Sequence, residues 1–291
     1  MGESTNMYST KYMRQKNSST GFTLVEMLIV APIVILVIGT IIYAIVQLTG
    51  DAVAARSSAA LIGNIQSSLD RIEADTEPSG AFLAKNNVTL SSPQGYNDGV
   101  QGFLSTSSAG DMLILNTFVT NGNPASASRT LVYVANLPNA CGSANIAQNQ
   151  VMTMNVVYFT KIDPVTQSNE LWRRTLAVNN YLSKDCAGVT PWQRPSCSPN
   201  VSGTLCTTQD EKLISGVTDF TVQYFSSGSD TTEATNTRSA TDTVRQTALD
   251  GTNTITVTLK AKVSIAGRDI NQQGSVRITR TGSLIKYTTP S

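Results

Sequence analysis

Polar residues fill positions 1–20, and the pattern then changes abruptly. From Phe22 to Leu48 the chain is Ile, Val, Leu and Ala with little interruption, and Glu26 is its one charged residue. At about 1.5 Å per residue, a helical run of that length exceeds the ~30 Å apolar core of a bilayer. Beyond Asp51 the apolar positions thin to one stripe. Val53, Leu61, Ile62, Ile65, Leu69 and Ile72 recur near helical spacing. Asp70, Arg71, Glu73 and Asp75 mark a polar end, and Glu77-Pro78-Ser79-Gly80 stops the helix. The pattern predicts one helix over 22–75, roughly 80 Å long, membrane-spanning over 22–48 and amphipathic after that. Pro32 lies inside the apolar run and predicts a kink, because it removes one helical hydrogen bond. Membrane helices tolerate such a break where neighbours re-satisfy the freed carbonyl.

The remainder, 76–291, reads as a β-rich globular head. Residues 81–110 are rich in Ser, Gly, Asn and Gln and read as an irregular connection. Strands are expected over 111–119, 130–135, 151–161 and 170–177, separated by Gly, Pro and Asn turns. Thr254–Ile265 alternates Ile255, Val257, Leu259, Ala261, Val263 and Ile265 with Thr, Lys and Ser. That is the signature of one buried and one wet face in an antiparallel sheet. Val217–Phe225 and 275–286 complete the set, and Asp250-Gly251 reads as a hairpin turn. Residues 226–249 are Ser-, Thr- and Asp-rich and read as an exposed mobile loop. The fold class expected is α+β, a long N-terminal helix packed on an antiparallel β-sheet head.

Three readings compete for the N-terminus. A secretory signal peptide would have an apolar core of only ~7–15 residues followed by a small-residue cleavage site. This run is longer, and Leu48-Thr49-Gly50-Asp51 is no such site. A plain membrane anchor explains everything except Glu26. A carboxylate at mid-bilayer costs about 2.5–3.5 kcal/mol on insertion scales, and less near the interface, so an intramembrane acid needs a partner. Lys11, Arg14 and Lys16 before the run place the N-terminus in the cytoplasm and the head outside.

The third reading is a resemblance. Gly21-Phe22-Thr23-Leu24-Val25-Glu26, followed by Met27-Leu28-Ile29-Val30, resembles the processing signal of type IV prepilins. The resemblance implies that a prepilin peptidase removes a leader over 1–21 by cutting between Gly21 and Phe22, and methylates the new N-terminal Phe22. Glu26 then becomes the fifth mature residue, the one that guides filament assembly. An unpaired buried charge is expensive and a paired one much less so. Pairing Glu26 with the Phe22 amine of a neighbouring subunit would therefore reward correct axial register. The family has a helix stretch that melts near a Pro, but its usual Pro lies further along than Pro32. Simple kinking and melting both stay open. A second stretch, Glu170-Leu171-Trp172-Arg173-Arg174 followed by Lys212-Leu213-Ile214-Ser215-Gly216-Val217-Thr218-Asp219-Phe220-Thr221-Val222-Gln223-Tyr224-Phe225, is similar to J-type minor pseudopilins and related minor pilins, in which a basic Leu-x-Arg strand precedes a Leu-x-x-Gly-Val-x-x-Phe-x-x-x-Tyr segment and then an alternating strand like Thr254–Ile265.

Composition narrows the chemistry. The 291 residues carry 21 Lys+Arg, 20 Asp+Glu and no His, for a net charge of +1. Without His there is no Ser-His-Asp or Cys-His pair and no His-ligated zinc. Near-neutral charge argues against nucleic-acid binding by bulk electrostatics. No phosphate loop or Gly-rich dinucleotide loop is present. No cofactor is expected and the protein is not expected to be an enzyme. Asp210-Glu211 reads as a solvated turn. Arg173 and Arg174, adjacent on a strand, should face opposite ways and form no joint basic patch. Trp172 and Trp192 read as core or rim, with sugar stacking as the functional alternative. Cys141, Cys186, Cys197 and Cys206 match no zinc or CxxC spacing. In an exported head they read as two disulfides with three pairings open; in a cytosolic protein they would be inert thiols.

The expected function is a structural or assembly subunit of a type IV pilus, competence pilus or type II secretion pseudopilus. A head this large fits a minor, tip or initiating subunit better than a major pilin, whose heads must tile. The partners so implied are other pilin or pseudopilin subunits through the helix, the prepilin peptidase, the inner-membrane assembly platform, and the membrane before assembly. A tip subunit binding a surface ligand or nucleic acid, and the major pilin itself, are the alternatives.

Overall fold

A computed structural model describes residues 23–86, 112–124, 126, 128–133, 151–177, 191–199, 208–265 and 267–282. The elements run α1 (Leu24–Thr76), β1 (Ser79–Phe82), β2 (Met112–Phe118), β3 (Thr153–Ile162), β4 (Asn169–Leu176), β5 (Ser196–Cys197), β6 (Thr208–Gln209), β7 (Glu211–Ser215), β8 (Val217–Phe225), α2 (Asp242–Asp250), β9 (Thr254–Ile265) and β10 (Arg268–Thr279). The chain divides into two compact units, Met1–Val53 and Ala54–Ser291.

In the first unit, every described residue of α1 is exposed, including Leu28, Ile35, Ile41 and Leu48. Ala, Leu and Met in the run favour the helix and its many β-branched Ile and Val do so less, and among the described residues none covers these side chains. Among the described residues this is the one helix long and apolar enough to cross a membrane. Hydroxyls within the stretch turn back onto the helix: Thr40 donates to the Val37 carbonyl, and Thr49 to those of Ile45 and Val46. Such back-bonding satisfies a hydroxyl without water.

In the second unit, α1 shows one buried face, formed by Leu61, Ile65, Ser68, Leu69, Ile72 and Thr76. Burying each large apolar side chain there stabilises by about 1.5–3 kcal/mol, far more than helix propensity supplies. The helix stops at Pro78, and the Ser79 hydroxyl donates to the Thr76 carbonyl, satisfying a C-terminal acceptor. Two antiparallel sheets lie against the helix, with strand orders β1-β2-β3-β4-β7 and β10-β9-β8. A single hydrophobic cluster joins α1 to both sheets through Leu113, Val156, Leu171, Phe220, Val257 and Ile278, among others. Gly274 permits the close approach of β10. A Cβ there would lie 2.6 Å from Ile65 Cγ2 and 2.9 Å from Leu69 Cδ1.

Gly216 carries the chain from one sheet to the other. Its φ is +77°, and a Cβ would sit 2.2 Å from the Lys262 carbonyl oxygen. Only glycine adopts that backbone readily. Val217, Phe220 and Tyr224 then point into the core, which gives a physical reason for the Gly-Val-x-x-Phe-x-x-x-Tyr pattern.

Several strands coincide with expectation, Val217–Phe225 and Thr254–Ile265 without a shift. Others differ for identifiable reasons. The last described strand starts at Arg268 rather than at 275, because Gly267, with φ +78°, turns β9 directly into β10; it ends at Thr279, and 283–286 of the expected strand lie outside the described residues. Its Asn271-Gln272-Gln273 run precedes the expected strand. At a sheet edge, half-wet side chains are tolerated. Of the expected strand 130–135, the described residues 130–133 make isolated bridges at Leu131 and Tyr133, and 134–135 lie outside the described residues. Within 226–249, read as a mobile loop, lies α2. Its Arg245 is buried and pairs with Asp242, and the Gln246 amide bonds Phe82 O and Ala84 N beside β1. Asp250-Gly251 therefore ends a helix rather than turning a hairpin: the Gly251 N–H bonds back to the Ala248 carbonyl.

Candidate functional site

Gly21 and Phe22 lie outside the described residues, as do Cys141, Cys186 and Cys206. Description begins at Thr23, and the local geometry there is informative. Thr23 N–H donates to Glu26 Oε2 at 3.0 Å, Thr23 Oγ1 donates to the same oxygen at 2.9 Å, and Glu26 N–H donates to Thr23 Oγ1 at 3.3 Å. The Met27 N–H to Thr23 carbonyl bond opens the helix. This is a reciprocal capping box, in which the side chains at the N-cap and three residues on satisfy each other's backbone donors. The Thr-x-x-Glu spacing announces it in the sequence, where Glu26 was read only as a pairing charge and Thr23 was passed over. Glu26 thus has a partner on its own chain. Its carboxylate also sits in the first helical turn, where the helix dipole favours negative charge.

Pro32 lies eight residues into α1, and the helix runs through it without interruption. Its ring leaves the Leu28 carbonyl without a helical donor. Cys197 is fully buried on β5 and is not a free thiol.

At the other end of α1, charges gather where helix meets sheet. Tyr158 on β3 and Arg173 on β4 are cross-strand partners. The Tyr158 hydroxyl donates to Asp75 Oδ2 at 2.5 Å and to the Arg71 carbonyl at 3.1 Å. Arg173 grips the same carboxylate with Nε at 2.5 Å and a terminal nitrogen at 3.2 Å. Glu211 follows, 3.7 Å from Arg173 and 3.3 Å from Arg71. Burial first, and the Asp75 carboxylate second, push the Tyr158 phenol well above its ordinary range. Burial opposes the Arg173 charge, and the Asp75 carboxylate more than compensates, so its pKa rises.

Arg174 faces the other way, as alternation requires. It is 1% exposed, donates from Nε to Asp210 Oδ2 at 2.7 Å and from Nη2 to Ser198 Oγ at 2.6 Å, and lies over the Phe159 ring. The Asp210 carboxylate also accepts from Ser196 Oγ at 2.9 Å. Asp210 is therefore no solvated turn residue but a buried counter-ion that holds the segment around β5 and β6 to β4. Adjacency in sequence concealed this, because its partner is 36 residues away.

Beside the Asp75 cluster is a cavity of about 490 Å³ with Trp192, Arg194 and Arg71 in its wall and Met154 and Val156 among its apolar lining. Trp192 is 51% exposed, so it is not core. Trp172, by contrast, packs partly buried and donates from Nε1 to Glu170. Among the described residues there is no group of three or more Cys, Asp or Glu side chains placed to hold a metal ion.

No protein-family model matches the chain, and neither a curated protein nor a solved structure does.

Proposed function

We infer that this protein is a subunit of a type IV pilin-like filament, inserted in the cytoplasmic membrane before assembly and extracted into the filament afterwards. The observation that carries the reading is the stretch of α1 up to Val53. It is helical, apolar and exposed throughout, it begins on an acid in a capping box, and it is joined to a folded β-rich head. A surface of that kind needs non-aqueous neighbours. Lipid serves first, and equivalent helices replace it in a filament core.

In this reading the peptidase cuts between Gly21 and Phe22 and methylates Phe22. The new amine lies one residue before Thr23, so it forms next to the capping box. Within one subunit Thr23 holds the Glu26 carboxylate at the helix start. In the filament, the Phe22 amine of a neighbour competes for that carboxylate, exchanging hydroxyl and amide donors for a full charge in an apolar setting. The cap keeps the acid hydrogen-bonded until the partner arrives. Leu28's freed carbonyl at Pro32 offers a place where the helix loosens on packing. The four cysteines form two disulfides in the exported head. The head, 76–291, is large for repeated tiling, which favours a minor subunit at the tip or in the initiating complex. The fold carries no catalytic role in this reading; the protein is a substrate of the peptidase.

The test is quantitative mass spectrometry of sheared, purified filaments, including the N-terminal peptide. A methylated Phe22 terminus at trace abundance is the expected result. The same terminus at dominant abundance would make this the major pilin. Uncut protein found only in membranes would overturn the reading.

A further inference from the structure

We propose that the cavity between the end of α1 and β4 binds an acidic sugar, a pyranose carrying a carboxylate such as a uronic acid, through Trp192 and Arg194. The proposal concerns the head alone and does not rest on the filament reading.

The segment bearing these residues is built in place. Trp192 N–H donates to the Thr120 carbonyl at 2.8 Å. The Gln193 side chain is consumed inward: its Oε1 accepts from Thr120 N–H at 2.9 Å, and its Nε2 donates to the Phe118 carbonyl at 3.0 Å and to Thr120 Oγ1 at 3.1 Å. On the other side, Thr175 Oγ1 donates to the Arg194 carbonyl at 2.6 Å. Main chain and Gln193 are therefore fixed to β4 and to the chain just past β2, while Trp192 and Arg194 stay exposed at the cavity. A fixed segment loses little freedom on binding, which is the condition for affinity from few contacts.

The charges define the ligand. Arg71, Arg173 and Arg194 line the cavity against Asp75 and Glu211. Asp75 is taken by Arg173 and Tyr158, and Glu211 lies between Arg71 and Arg173. Arg194 has no ion-pair partner among the described residues, and the buried Arg71 Nε makes no hydrogen bond despite lying 3.3 Å from Glu211. With three guanidiniums against two carboxylates in its wall, the cavity has a positive excess carried by Arg194, which a carboxylate satisfies through a bidentate guanidinium contact. A bare inorganic anion would use Arg194 but leave Trp192 idle. An indole face half in water suits the apolar C–H face of a pyranose, and exposed Gln209 and Glu211 offer partners for ring hydroxyls. The volume of about 490 Å³ is within the range of small-ligand sites and accommodates a mono- or disaccharide.

The experiment uses the full-length protein in detergent micelles, with Trp172→Phe so that Trp192 is the sole indole reporter. Galacturonate and glucuronate disaccharides, their neutral galactose and glucose counterparts, and acetate are titrated by fluorescence and calorimetry. The expected result is saturable binding of an acidic disaccharide at least about tenfold tighter than its neutral counterpart, since one charge-assisted pair is at stake. Arg194→Gln should abolish the preference for the acid while retaining weak sugar binding, and Trp192→Ala, read by calorimetry, should lose both. Unchanged unfolding temperatures would separate these effects from misfolding. Equal binding of acidic and neutral sugars, binding unaffected by either substitution, acetate binding as tightly as the disaccharide, or no binding would each overturn the proposal.

Discussion

Replacing Asp75 by Asn tests the joint between α1 and the first sheet. The substitution keeps the shape and one acceptor oxygen but removes the charge that Arg173 and Tyr158 share. Arg173 and Asp75 side chains are each 15% exposed, so the pair is largely but not fully desolvated. Breaking a fully buried pair costs about 3–5 kcal/mol, because the remaining charge is stranded. Here Glu211 stays 3.7 Å from Arg173 and offsets part of the loss. The expected destabilisation is therefore about 2 kcal/mol. For a unit of this size that lowers Tm by about 4–8 °C. The assay is urea unfolding of the full chain in micelles, carrying Trp192→Phe and followed by Trp172 fluorescence, since Trp172 adjoins Arg173 on β4. Pairing Asp75→Asn with Arg173→Met in a double-mutant cycle isolates the coupling, expected at about 1.5 kcal/mol or more. An exposed pair would fade in 0.5 M salt, whereas this one should persist. A loss below about 0.5 kcal/mol, or no coupling, would refute the view that this cluster locks the helix to the sheet.

Three further outcomes are expected. Gly274→Ala should destabilise by about 1–3 kcal/mol through overpacking against Ile65 and Leu69, and Ile65→Ala should relieve part of it; a neutral Gly274→Ala in thermal unfolding would contradict the close approach of β10. Tyr158 titrates higher in the folded protein than its ordinary value of about 10, so the fold binds more protons than the unfolded chain above that pH. Stability is then intact below pH about 10 and falls as pH rises further; Tyr158→Phe should flatten that decline, and an unchanged slope would argue against it. Glu26→Gln preserves the capping bond and removes the charge, whereas Glu26→Ala removes both. Peptidase cleavage should survive in each and incorporation into filaments should fail in each, so wild-type incorporation of Glu26→Gln would assign the residue to the helix cap rather than to charge pairing.

The local patterns in the chain were legible where a single element answers to its own residues. The apolar run and amphipathic stripe of α1 specify a helix that is apolar all round at one end and on one face at the other, because backbone hydrogen bonding and side-chain periodicity are both local. The alternation of Thr254–Ile265 specifies a half-buried strand for the same reason. Opposite facing of Arg173 and Arg174 also follows from strand geometry alone, and the pairs with Asp75 and Asp210 bear it out. The capping box at Thr23 and Glu26 was equally local.

Long-range pairing was a different matter. Nothing near Asp210 in the chain says that Arg174 will desolvate it, and nothing near Asp75 points to Tyr158, 83 residues on. The α2 helix has too few apolar residues to announce itself. It is held in place because Gln246 bonds Phe82 and Ala84 and Leu249 joins the core cluster of α1 and the sheets. In each case the deciding free energy is the desolvation or packing of one residue against another remote in sequence. Periodicity carries no record of that energy; only the folded arrangement of α1 and the two sheets supplies the partner.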